Sequence, residues 1–330
     1  MRPEQPGALV ISLDFELHWG VRDSRRLAEY KGNLLGVRQA VPAMLDLFAR
    51  YRIHATWATV GFLFCQTRDE LLAAAPPLRP GYEHEALCPY RALDAIGADE
   101  EEDPFHYAPS LINRIRQDPC QEIGTHTFSH YYSLERGQTE EAFEADLRAG
   151  IAIARRYGVE TRSLVFPRNQ INPAYLPVCE RLGIVAYRGN PPGWLYEAEA
   201  SGQRSTAKRL LRLADTCLPI SGDGCCRPDR ATPCNVPASR FLRPYTRALA
   251  PLDRARLHRI SSGLAAAADG GRIYHLWWHP HNFGACLPEN LRFLESLLQR
   301  FGALRDRHGM ESLTMLECAT RRGATRSGPG

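Results

Sequence analysis

Seven runs rich in β-branched and aromatic residues punctuate this chain, with helical stretches or long connections between them. The runs fall at 8–14, 53–63, 121–127, 162–167, 184–188, 272–279 and 311–316. Residues 40–51, 139–158, 174–183, 252–268 and 287–309 carry apolar side chains at helical spacing instead. Strands that alternate with helices are joined by crossovers, and crossovers make parallel neighbours. The pattern therefore predicts an α/β fold built on a parallel sheet or barrel. Folds of this kind gather their chemistry where strands end at the carboxyl side. Four predicted strand ends are polar: Asp14 with Glu16, His126 with His130, Pro167-Arg168-Asn169, and His279.

A chain of 330 residues with 44% apolar and 24% charged residues can bury a large core without disulfides. A formal charge of +4 gives no reason to expect a nucleic-acid partner. Only Lys31 and Lys208 among the 41 basic residues are lysines, a bias read first as genome composition. The opening MRPEQPGALVISLDFE has no apolar stretch of signal-peptide length, and no later run is long enough to span a bilayer. The expectation is a cytoplasmic protein with mostly reduced cysteines. It is organised as one domain over 1–318, with irregular insertions at 66–119 and 189–250 and a disordered tail at 319–330.

The strongest local chemistry is His126-Thr-Phe-Ser-His130. Imidazoles four apart share a face on a helical turn and make half a zinc site. A catalytic site needs a third protein ligand and an open position. The acids Asp14 and Glu16, two apart on a strand, face one way and offer that ligand. The competing readings are capping histidines, and acids paired with Arg22, Arg25 or Arg26.

Taken together these residues resemble the NodB-type polysaccharide deacetylases, carbohydrate esterase family four. The first signature corresponds to Ser12-Leu-Asp14-Phe-Glu16, and the second to Glu122-Ile-Gly-Thr-His126-Thr-Phe-Ser-His130. Ala55-Thr-Trp-Ala-Thr-Val-Gly61 lies between them, and Leu276-Trp-Trp-His279-Pro follows near the C-terminus. The matches keep the family's order from residue 8 to about 316. The resemblance implies a distorted (β/α) barrel of about seven parallel strands and a metal-dependent hydrolase that N-deacetylates a sugar, glycan, glycolipid or antibiotic precursor. It implies one divalent metal, zinc with cobalt or nickel as alternatives, on Glu16, His126 and His130. Asp14 becomes the general base and His279 the general acid. Because Phe15 separates the acids, the two roles could be exchanged. In the third signature the arginine lies after Pro167 rather than before it, and Arg168 is the expected partner of the base. The fourth signature lacks its Asp; Tyr187-Arg188-Gly-Asn190 and Trp194 occupy that neighbourhood.

Trp19, Asn169, His281 and Asn282 are the candidates for substrate contact, with Trp277 and Trp278 as further flat surfaces. His275 is expected in the core. Cys217, Cys225, Cys226 and Cys234 form a cluster whose spacing matches no standard zinc pair. Residues 235–245 mix arginines with aromatics, either to bind an anionic or sugar group or as a packed connector. The alternatives to a deacetylase are a hydrolase of another C–N bond, or a sugar-binding barrel without turnover.

Overall fold

The structure is a computed structural model that describes residues 5–196 and 206–321. Among the described residues nine strands, all parallel to their neighbours, form one sheet. In chain order they are β1 (Ala8–Phe15), β2 (Ala55–Thr59), β3 (Gln121–Thr125), β4 (Ser163–Leu164), β5 (Ala186–Tyr187), β6 (Cys234–Asn235), β7 (Arg240–Phe241), β8 (Ile273–Trp278) and β9 (Glu311–Leu313). The ladder runs β6-β5-β4-β3-β2-β1-β8-β7, and β9 lies against the start of β1.

The two ends of that ladder belong to one segment. Cys234, Val236 and Ala238 donate their amides to Val185, Tyr187 and Gly189 on the β5 side. Ser239 and Leu242 then donate to His275 and Trp277 on the β8 side. The chain thus transfers from one edge to the other within a few residues and closes the ring. Counting β6 and β7 as this one broken stave leaves a distorted barrel of seven, with β9 appended; the resemblance predicts that number, whereas the strand pattern reaches it by counting β9 and missing the broken stave. Residues 235–245 pack as a connector through Arg240, which pairs with the buried Asp215, while Phe241 faces the cleft described below.

Helices cover the outside: α1 (Leu27–Tyr51), α2 (Arg68–Ala74), α3 (Pro109–Ile115), α4 (Glu140–Arg156), α5 (Leu176–Arg181), α6 (Thr206–Ala214), α7 (Asp253–Gly270), α8 (His281–Gly284), α9 (Leu287–His308) and α10 (Met315–Thr320). Helix α1 starts well before the predicted 40–51, and α6 lies in a region predicted to be irregular. Helix α10 begins with a capping box between Thr314 and Glu317 and carries the chain through Thr320. That corrects the expected tail, which was placed from 319; residues 322–330 lie outside the described residues.

β1 is buried along its whole length because β8 flanks one edge and β9 then β2 the other. Its two faces differ. Leu9, Ile11, Leu13 and Phe15 pack outward into the main core under α1 and α9. The opposite face begins with Ala8 and Val10 in a small inner cluster. It continues upward as Ser12, Asp14 and then Glu16, the period of two that the sequence suggests.

Candidate active site

Glu16 is the hub. Its Oε2 lies 3.0 Å from His130 Nε2 and 3.3 Å from His126 Nε2, while Oε1 lies 3.4 Å from His279 Nε2. Glu16 is 3% exposed, His126 is fully enclosed and His130 is buried, while His279 is partly exposed. Gly20 follows one turn later, and any side chain there would collide with the Glu16 carboxylate.

The histidine loop is held in a costly shape. Thr127 and His130 both have left-handed backbone, at φ 62° and 61°. Non-glycine residues pay about 1 kcal/mol for such a conformation. Four hydrogen bonds offset this. Thr127 Oγ1 accepts the amide of Tyr131 at 2.7 Å. Asp146, on α4, accepts the amides of Phe128 and Ser129 at 2.8 and 3.2 Å. It also accepts the Ser129 hydroxyl. Burial pushes the Asp146 carboxyl up to about 6 despite those donors.

The donor set fits a metal. His126 Nδ1 is 2.7 Å from the Val165 carbonyl, which can only accept, so Nδ1 carries a proton. In the neutral ring Nε2 is then a lone pair, and it faces the lone pairs of Glu16 with no hydrogen-bond partner of its own. Two acceptors turned toward each other in a buried site call for a cation between them. Burial lowers His130 to about 4, which keeps that imidazole neutral as well. One carboxylate and two imidazoles whose ligand atoms all lie within 4.8 Å of one another suit zinc or a similar ion.

Asp14 is held differently. Its oxygens accept two bonds from Arg188, Nη1 to Oδ1 at 2.6 Å and Nη2 to Oδ2 at 2.8 Å. Burial alone would raise this carboxyl, but the guanidinium outweighs it and the group lies below its ordinary value. Glu16 is likewise opposed by burial and held well below its ordinary value by His279, His126 and His130. Arg188 also donates to Ser12 Oγ and Asn169 Oδ1 and stacks under Trp277 at 4.2 Å. His275 closes the floor, with Nε2 2.8 Å from Ser12 Oγ, and burial lowers it to about 3.

His279 stands across from the acids, with Nε2 3.8 Å from Asp14 Oδ2. Its other nitrogen, Nδ1, lies 3.1 Å from the amide nitrogen of Asn282, whose Oδ1 accepts from the Tyr30 hydroxyl at 3.0 Å. The His281 ring stacks on His279 at 5.1 Å and 21°. Above the acids opens a cleft of about 380 Å³ bordered by Tyr30, Arg25, Asn169, Phe241 and Trp277.

The structure thus brings Asp14, Glu16, His126, His130, His279, His281, Asn282 and Asn169 together. Two expected site residues take other places: Arg168 borders the cleft without pairing with Asp14, and Trp19 lies in the core. Arg168 pairs with Asp23 and lies over the Tyr132 ring, because left-handed backbone at Arg168 and Asn169 turns its side chain along the cleft rim instead of toward Asp14. The partner of Asp14 is Arg188. Trp19 is fully buried, donating Nε1 to the His106 carbonyl and packing on Phe62. The 3-10 turn at Leu17–Gly20 rotates it into the core and away from any substrate. The cysteine cluster does not converge either: Cys225, Cys226 and Cys234 donate to separate carbonyls, and no candidate metal group among the described residues includes a cysteine.

Tyr30 and Asp146 are not singled out by the sequence, and Arg188 is seen there only beside the fourth signature, with no role. Arg188 ends the run 184–188, so the strand-end rule reaches it. Asp146 interrupts the apolar face of α4 between Phe143 and Gly150, which is a readable signal for a buried acid. Tyr30 has none.

The parallel barrel thus carries two buried acids and three histidines at its carboxyl end. The family model for polysaccharide deacetylase matches residues 32–187, the stretch from α1 to the end of β5. No curated protein matches the chain. Among solved structures, a Mycobacterium smegmatis protein assigned to the polysaccharide deacetylases is 14% identical, with TM-score 0.60 over 99% of this chain and 96% of that one. One from Pseudomonas aeruginosa PAO1 is 13% identical, with TM-score 0.52 over 98% and 91%. The allantoinase PuuE is 11% identical, with TM-score 0.53 over 98% and 91%. At these identities the likeness is one of fold. Among the described residues no helix is long and apolar enough to cross a membrane.

Proposed function

We propose that this protein is a metal-dependent hydrolase that removes the N-acetyl group from a sugar-bearing substrate. The observation that carries the reading is the unequal treatment of the two acids. Glu16 turns one oxygen to both His126 and His130, whereas Asp14 has both oxygens taken by Arg188 beside His279. Glu16 is therefore the ligand and Asp14 the base.

A divalent ion on Glu16, His126 and His130 supplies polarisation of the acetamide carbonyl and a more acidic water. Asp14 takes the water proton as the oxygen attacks the carbonyl carbon. Arg188 keeps Asp14 ionised between turnovers and fixes the carboxylate plane. His279 Nε2 gives a proton to the departing nitrogen, without which the C–N bond does not break. Asn282 and Tyr30 can hold that ring through the proton cycle. With the amide as described, Nδ1 accepts; with the amide turned over, Oδ1 accepts from Nδ1–H of the imidazolium and Tyr30 accepts from the amide nitrogen. Phe241 and Trp277, ring centroids 4.7 Å apart, offer an apolar wall suited to a sugar face.

The test is metal analysis joined to acetate release from N-acetylated sugars, nucleotide sugars and glycolipids. Asp14→Asn should retain the metal and lose about 10²–10⁴-fold in turnover, and Glu16→Gln should lose the metal. The reverse outcome would exchange the two roles. Absence of bound metal together with no acetate release after zinc or cobalt addition would overturn the hydrolase reading. An allantoinase shares the fold, so the same screen should include cyclic and ureido amides.

A further inference from the structure

We propose that the cleft holds a second divalent-cation site, formed by Glu16, His279 and His281, next to the one formed by Glu16, His126 and His130. The inference rests on the reading of that first site. Glu16 has two faces. Its Oε2 serves His126 and His130, and its Oε1 is left toward His279 Nε2 at 3.4 Å. The stacked rings of His279 and His281 each bring one nitrogen to the Glu16 carboxylate, and the three ligand atoms lie within 4.8 Å of one another.

His281 has no other evident task. It is 2% exposed, and its Nδ1 is buried without a hydrogen-bond partner. His279 can offer Nε2 as a lone pair when Asn282 turns its Oδ1 toward Nδ1–H, an exchange that Tyr30 accommodates. A carboxylate that bridges two cations is a familiar way to hold them about 3.5–4 Å apart. Imidazole donors favour zinc, cobalt or nickel over magnesium or calcium.

The second ion binds more weakly. Asp14 is neutralised by Arg188, so Glu16 is the one carboxylate left to balance two dications that repel each other. The second equivalent should need about tenfold or more higher free metal than the first. It would also occupy the nitrogen that protonates the leaving group.

The experiment is equilibrium dialysis of the chelator-stripped protein against rising free zinc, with bound zinc counted by mass spectrometry. The wild type should take one equivalent, then a second. His281→Leu and His281→Asn should keep the first and lose the second, and His126→Ala should lose the first. One equivalent in the wild type at saturating zinc overturns the second site and leaves the hydrolase reading standing. A second equivalent that persists in both His281 variants marks adventitious surface binding and also overturns it. No zinc at all overturns both readings.

Discussion

Replacing Arg188 with Met would leave the Asp14 carboxylate 3% exposed and without its two short bonds, at nearly constant side-chain volume. Breaking a buried pair by removing one partner costs about 3–5 kcal/mol. The pH dependence of that loss is the informative part. In the wild type Arg188 depresses the Asp14 carboxyl, so the pair's stabilisation is present above the ordinary aspartate value of about 3.9 and is lost as pH falls through the folded value. Without Arg188 burial dominates and the folded value rises above the ordinary one. The sign then reverses: the penalty stands in full above the raised value and is relieved as pH falls toward about 3.9, where Asp14 is protonated in both states. Urea denaturation of both proteins at pH 5 and pH 7.5 should therefore show a smaller difference at pH 5. In the double variant with Asp14→Asn, the loss should be well below the sum of the single losses. The acid limb of any pH–rate profile should move upward in Arg188→Met, because the base works only when ionised. Equal destabilisation at the two pH values, or additive losses, would refute the account of Asp14 as a carboxylate kept charged by Arg188.

Asn282→Ala removes one hydrogen bond that orients His279, worth about 1 kcal/mol, so kcat should fall about fivefold to tenfold with KM little changed. Asp146→Ala strands two buried amides of the histidine loop, at about 1–3 kcal/mol each, and should lower both Tm and zinc affinity; Asp146→Asn keeps an accepting oxygen and should recover most of each. Because the folded Asp146 value is raised to about 6, its stabilising contribution declines as pH rises from about 3.9 to 6, and Asp146→Asn should flatten thermal stability across that window. Deacetylation should be inhibited by excess zinc with the midpoint of the second binding step, and an activity curve that stays level through that step would separate occupancy of His279 from loss of the acid.

The strand-end logic picked out Asp14, Glu16, His126, His130 and His279, which the structure brings into one cluster, because strand period and parallel topology are local or nearly local in sequence. It misplaced Arg168 and Trp19 for a shared reason. Left-handed residues just past the strands, Leu17 at φ 47° and Arg168 at φ 55°, redirect the following backbone, and neither is a glycine that would announce the turn. Tyr30 and Asn282 meet across 252 positions, a pairing that no window of sequence can show. The closing stave was hidden by the shortness of β6 and β7, two residues each, whose pairing depends on the strands on either side. Asp146 was legible in principle, as a carboxylate on an apolar helix face, and would have identified the support of the histidine loop.

Ser12, Asp14 and Glu16 climb one inward column, so three polar duties hang on a single alignment between β1 and its neighbours. Ser12 stands opposite Thr56 and Trp277, and Asp14 opposite Ala58. A slip of one position would turn all three toward the greasy exterior layer and bring Leu13 and Phe15 inward in their place. The chain therefore has no half-wired form: a molecule whose first strand settles one notch out of line loses floor, base and ligand together. Its energetic penalty for burying those groups under α1 and α9 would mark it for unfolding. Chemistry written along one strand in this way lets the core itself proofread the site.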